Sequence, residues 1–258
     1  MKRVAGLLAA FTVAAAGCSS SGNPSAGGHG GRSGLSGSIT VFAAASLTDS
    51  FDTLGAQFEK AHAGTKIVFN FGGSSALATQ IDEGAPGDVF ASAATKNMAD
   101  VTEAGNVDNP VTFAKNSMQI AAAPGNPAHI TSVADLAAPG VKVALCEATV
   151  PCGGTAAEVF AKAGVTVKPT ASAPDVKSAL AVVESGEVDA GVVYVTDVKA
   201  AGDKVVGVPI PDGQNASTDY PIATLKHSKN AALAKAFVDY VLSAAGQQVL
   251  AAAGFRSP

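Results

Sequence analysis

Two serine loops hold the first groups in this chain that could do chemistry. Ala43-Ala44-Ala45-Ser46 follows one short apolar run, and Gly72-Gly73-Ser74-Ser75 follows the next. Each loop is predicted to open a helix, where the first N–H groups lack intrahelical partners and the helix dipole favours negative charge. The hydroxyls of Ser46 and Ser74 would then face one crevice at the carboxyl ends of neighbouring parallel strands, where open α/β sheets bind ligands. A lone serine at a helix start is most often a cap. Ser75 suits that plain role better than its neighbour.

Pro151-Cys152-Gly153-Gly154-Thr155 supplies a matching half: its glycines let backbone approach a ligand, and the Cys152 N–H is the expected donor. Ala173-Pro174-Asp175-Val176 opens a further helix, with the Val176 N–H as donor or, on the plainer reading, merely a Pro-initiated first turn. Tyr194 ends Gly191-Val192-Val193-Tyr194 and is either a half-buried strand aromatic or a hydroxyl donor. No lysine or arginine lies within these loops, so a guest's charge would be met by hydroxyls, amides and dipoles alone. Such a site prefers a fully deprotonated oxyanion. Phosphate and arsenate keep a proton at neutral pH and call for an acceptor, whereas sulfate, molybdate and tungstate do not.

The elements that must position these loops read as an α/β fold. From residue 39 onward, runs rich in Val, Ile and Phe alternate with Ala-rich stretches of helical period, which predicts largely parallel sheets flanked by helices. Strands are predicted at 39–43, 66–71, 88–92, 141–145 and 190–194. Leu47, Phe51, Leu54 and Phe58 share one face of a helix over 47–62. Further helices are predicted at 76–83, 155–163, 174–185, 230–242 and 244–252. Pro124-Gly125-Asn126-Pro127 marks a first crossing between units, and the chain returns near 220–225. The expected organisation is one lobe from 38–119 and 224–258, a second from 120–223, and a ligand cleft between them that closes like a clamshell.

The first 37 of the 258 residues read as address rather than fold. Lys2 and Arg3 precede a weakly apolar stretch too short to span a membrane, as in an export signal over 1–17. Ala15-Ala16-Gly17-Cys18 resembles a bacterial lipobox, so Cys18 is expected to be acylated and to hold the protein at the outer face of the cytoplasmic membrane. Residues 18–37, rich in Ser and Gly, read as a flexible tether. Removing 1–17 takes two of the 17 basic residues and none of the 21 acidic ones, leaving 15 against 21 and a formal charge of −6. That balance argues against a nucleic-acid partner. Cys146 and Cys152 either bond or stay free, a choice that spacing does not decide. Two thiols with no nearby histidine make no zinc set.

Ile39-Thr40-Val41-Phe42-Ala43-Ala44-Ala45-Ser46-Leu47-Thr48, Gly84-Ala85-Pro86-Gly87-Asp88-Val89-Phe90 and Gly191-Val192-Val193-Tyr194 resemble the periplasmic molybdate-binding proteins of bacterial molybdate ABC transporters, over 38–255. The resemblance implies a two-lobed type 2 periplasmic-binding-protein fold that holds molybdate or tungstate through its oxygens, with no direct metal coordination and no cofactor. By position it implies Ser46, Ser74, the amides of Cys152 and Val176, and Tyr194 as the ligand set. Some archaeal relatives add carboxylates to the metal; Glu147 and Asp175 lie near the loops and keep that variant open. The expected protein is a monomeric lipoprotein that hands its oxyanion to an ABC permease. Three rivals stand beside it. A sulfate binder uses the same donors, a ferric-ion binder would need clustered ligands although Tyr220 and Tyr240 are distant in sequence from Tyr194, and a serine hydrolase lacks a Gly-x-Ser-x-Gly elbow.

Overall fold

Residues 34–258 are described by a computed structural model; the export signal, Cys18 and all but the last four residues of the tether lie outside them. Among the described residues, no helix is long and apolar enough to cross a membrane. The chain opens with β1 (Gly37–Ala44), a 3-10 turn (Ala45–Leu47), α1 (Thr48–Ala61), β2 (Thr65–Gly72), α2 (Ser74–Asp82), β3 (Val89–Ala91) and α3 (Thr95–Glu103). The long strand β4 (Val111–Ala122) follows, then β5 (Val143–Cys146), α4 (Pro151–Ala163), β6 (Ala171–Ala173), α5 (Val176–Glu184), β7 (Ala190–Tyr194) and α6 (Val195–Ala201). β8 (Val206–Val208), β9 (Ser217–Thr224), α7 (Ala231–Leu242) and α8 (Ala244–Ala253) complete it.

Two parallel triplets dominate the sheets, β2-β1-β3 and β6-β5-β7, as the alternation of strand and helix predicts. Antiparallel strands join them. β9 pairs with β3 on one side and with Val111–Ser117 of β4 on the other, while Met118–Ala122 of β4 pairs with β7 and its last three residues with β8. The sheets are therefore mixed, and β4 serves both. Its polar middle, Lys115-Asn116-Ser117, breaks the apolar run and leaves it out of the strands predicted from hydrophobicity.

Burial follows the same division. One apolar cluster gathers Met118, Ile120, Val143, Leu145, Val159, Leu180, Val192 and Tyr194; a second gathers Ile39, Leu47, Phe51, Leu54, Phe58, Phe113, Tyr220 and Phe237. A third holds Phe42, Leu77, Phe90, Met98 and Val101. Phe51, Leu54 and Phe58 are buried at the three- and four-residue spacing that predicted α1. Gly164 ends α4 at φ 68° and Gly254 ends α8 at φ 105°, left-handed conformations that favour glycine at a helix C-terminus.

Candidate functional site

The predicted residues stand at or just beyond the carboxyl ends of five parallel strands. Ser46 follows β1, Ser74 follows β2, Cys152 follows β5, Val176 follows β6, and Tyr194 is the last residue of β7. All five line one small cavity, together with Ala44, Ala45, Gly72, Gly73, Ala93, Val150, Pro151 and Asp175. The space that the centre of a water molecule can reach there is about 10 Å³, about what a single water needs, so the lining groups close tightly on one another. Each of the five residues is no more than 5% exposed.

The local sequence aims their donors inward. α2 begins on Gly73 with no side-chain cap, so Ser74 is its first helical residue and Ser75, the expected cap, does not serve as one. Ser74 Oγ instead accepts the Ala93 N–H at 3.0 Å, which leaves its own hydrogen free. Ser46 sits in the 3-10 turn, and its Oγ lies 2.8 Å from the Tyr220 hydroxyl. α4 starts at Pro151, four residues earlier than its predicted start, which places Cys152 inside its first turn. There Cys152 is disulfide-bonded to Cys146 with the Cα atoms 5.8 Å apart, tying the helix start to the end of β5. A side chain at Gly153 would collide with the Glu147 carbonyl, so that turn requires glycine.

The N–H groups of Ser46, Ser74, Cys152 and Val176 enter no turn or cap hydrogen bond. As first-turn amides they have no intrahelical partner either. Tyr194 is 1% exposed and its hydroxyl has no hydrogen-bond partner in the protein. Burial pushes its ionisation up, so the group remains an O–H donor. A buried donor left unpaired costs about 1–3 kcal/mol, which marks a place where a ligand atom belongs.

No lysine, arginine or histidine lines the cavity. Lys177, beside Val176, is occupied elsewhere: its ammonium lies 2.6 Å from Asp49 and 3.5 Å from the buried Asp197. The Asp197 Oδ2 accepts the Tyr194 N–H at 3.2 Å, and burial raises the Asp197 pKa to about 7 even with Lys177 opposite. Asp175 lines the cavity, but its carboxylate caps α5, accepting from Ser178 N–H at 2.9 Å and Ser178 Oγ at 3.1 Å. Glu147 is exposed and lines no part of the cavity. Among the described residues no cluster of three or more His, Cys, Asp or Glu could hold a metal ion.

Gly73 faces the second triplet across the cavity: a Cβ there would fall 2.6 Å from the Pro174 carbonyl and 3.7 Å from Val150. The two halves meet closely around the cavity. One residue that is distant from Tyr194 in sequence is its neighbour in the fold. Tyr220 lies with its ring 6.1 Å from that of Tyr194, brought there by pairing between β9 and β4 that no local signal announces.

The chain is similar to proteins of known kind. Residues 39–256 match the family described as bacterial extracellular solute-binding protein. Over 254 residues it is 41% identical to the molybdate-binding protein ModA of Mycobacterium tuberculosis, covering 98% of this chain and 97% of that one. The Azotobacter vinelandii periplasmic molybdate-binding protein superposes with a TM-score of 0.76 at 22% identity, covering 85% of this chain and 99% of that one. The sulfate-binding protein SubI of Mycobacterium tuberculosis gives 0.73 at 22% identity, over 85% and 86% of the two chains. The profile match across the whole α/β body and the near full-length identity agree with the fold described above: the chain belongs to the bacterial extracellular solute-binding protein family.

Proposed function

We propose that this protein captures molybdate, and with it tungstate, and delivers the oxyanion to an ABC permease, with Ser46, Ser74, Tyr194 and the amides of Cys152 and Val176 as its ligand set. One observation carries the reading: these five groups line a single cavity whose donors are uncharged and whose one carboxylate, Asp175, is turned to its own helix. A tetrahedral dianion whose oxygens bear no hydrogen satisfies every free donor, including the Tyr194 hydroxyl, and asks for no acceptor. Each hydrogen bond to the charged guest contributes about 1.5–3 kcal/mol. The 41% identity to a molybdate-binding protein supports molybdate over other guests.

In this reading residues 38–119 with 224–258 form one lobe and 120–223 the other, β4 and β9 carry the crossings, and closure of the lobes buries the guest. The site binds and releases without covalent chemistry, and the protein works as a monomer held at the outer face of the membrane by an acylated Cys18. A thermal-shift series with molybdate, tungstate, sulfate and hydrogenphosphate at equal concentration tests the ligand. The midpoint rises with RT ln(1 + [L]/Kd), so the rank order is read directly. Molybdate and tungstate are expected to lead. A larger shift with sulfate would assign the site to that anion, and a shift with hydrogenphosphate comparable to molybdate would refute the donor-only argument.

A further inference from the structure

Ser46 is a hydroxyl donor of the cavity whose hydrogen depends on a neighbouring side chain. Ser74 accepts a backbone N–H from Ala93, so its own hydrogen is released to the cavity whatever the side chains around it. Ser46 has no such amide; its Oγ meets the Tyr220 hydroxyl at 2.8 Å. Either oxygen can be the donor on distance alone, and the surroundings decide which is. Tyr220 is fully buried, and its hydroxyl has Ser46 at 2.8 Å with the side chain of Asn116 also beside it. Were Ser46 to donate to Tyr220, its one hydrogen would be spent there and none would be left for a guest oxygen. With Tyr220 donating, Ser46 must turn its hydrogen elsewhere. Ser46 borders both the donor-lined cavity and an outer pocket with Asp49 and Gln57, and a hydrogen turned to the cavity is the one that meets a guest oxygen.

From this geometry we infer that Tyr220 is a positioning residue for the bound oxyanion: it donates to Ser46 Oγ, fixes Ser46 as a donor toward the cavity, and strengthens that donor through the chain Tyr220 to Ser46 to ligand oxygen. The inference rests on the reading that the cavity takes molybdate. Burial holds the Tyr220 hydroxyl well above the usual phenol range, so it keeps the hydrogen it donates. The ring is held in place by edge contacts to Phe113, Tyr194 and Phe255 at centroid distances of 6.3, 6.1 and 5.2 Å. Its strand, β9, pairs Tyr220 with Ala114 of β4, so the hydroxyl is carried on a sheet rather than a loop. Donors linked in series polarise one another, which is why a residue that never touches the guest can affect how tightly it is held.

A double-mutant cycle separates this role from a merely structural one. Tyr220→Phe keeps the ring and its aromatic contacts and removes only the hydroxyl. Molybdate affinity of the full chain is measured by titration calorimetry for the unaltered protein, Tyr220→Phe, Ser46→Ala and the pair, at a temperature well below each unfolding midpoint. Tyr220→Phe is expected to weaken molybdate binding by about tenfold in the unaltered background, and by less than about twofold when Ser46 is already alanine. The same tenfold loss in both backgrounds would show that Tyr220 acts through packing and overturn the inference, as would an unchanged affinity in Tyr220→Phe. If the unaltered protein fails to bind molybdate, the reading of the cavity itself falls, an outcome visible before any variant is made.

Discussion

Removing the Tyr194 hydroxyl should separate binding from stability in a way few substitutions do. That hydroxyl is buried and makes no well-formed hydrogen bond within the protein, so Tyr194→Phe breaks no protein hydrogen bond and keeps the ring in its place. Relief of an unsatisfied donor is worth up to about 1–3 kcal/mol, and a domain of this size moves by about 2–4 °C per kcal/mol. The ligand-free midpoint is therefore expected to stay level or rise by a few degrees. Bound to a dianion, the same hydroxyl supplies about 1.5–3 kcal/mol, so its loss weakens molybdate binding by about 10- to 150-fold. Differential scanning calorimetry without ligand and titration calorimetry with molybdate give both numbers on one preparation. A lower ligand-free midpoint together with an unchanged affinity would refute the reasoning, because it would mean that the hydroxyl serves the fold and not the guest.

Three further outcomes follow from the neighbouring groups. Ser74→Ala removes both a ligand donor and the acceptor of the buried Ala93 N–H, so affinity should fall at least about tenfold and, unlike Tyr194→Phe, chemical denaturation should show a loss of about 1–3 kcal/mol. Lys177→Met strips the buried Asp197 of its ion pair. Because Asp197 titrates near 7 when folded against an ordinary value of 3.8, its protonated form favours folding, and its contribution is lost as pH rises from about 4 through 7. Urea unfolding should accordingly show Lys177→Met about 3 kcal/mol less stable than the parent at pH 8, with the gap narrowing at pH 5. Replacing both Cys146 and Cys152 by alanine opens a link of sequence separation 6; denaturant midpoints should register a loss of about 2 kcal/mol. Molybdate affinity should fall with it, since the amide at position 152 is no longer anchored to β5.

Much of this site was legible before folding because its groups sit immediately after strands with strong apolar patterns. Val41-Phe42-Ala43 and Val192-Val193 announce strands, and Ser46 and Tyr194 lie at or just beyond their ends. What stayed hidden is non-local. The partnership of Tyr220 with Ser46 spans 174 positions and depends on the pairing of β9 with β4. β4 was underestimated because Asn116, 1% exposed and bonded to Thr196 at 2.8 Å, is a buried polar residue in a strand interior, where a hydrophobic pattern breaks. The seven residues of α6 are too short to show a period. Ser75 failed as a cap for a simpler reason: the helix starts two residues earlier than a Ser75 cap would place it, and Gly73 takes the capping position.

A strand shared by two sheets also limits how such a chain can tolerate change. Ser117 is the last residue of β4 to pair with β9, and Met118 is the first to pair with β7. Inserting a single residue between them would leave one partnership intact and turn every later side chain of the strand to the opposite face, because strand side chains alternate with period two. Met118 and Ile120, now buried, would trade places with Gln119. Length changes in this family member should therefore accumulate in the loops around 124–130 and 211–215 and spare the seam at 117–118, where a deletion would misalign Tyr194 against the four donors that precede it.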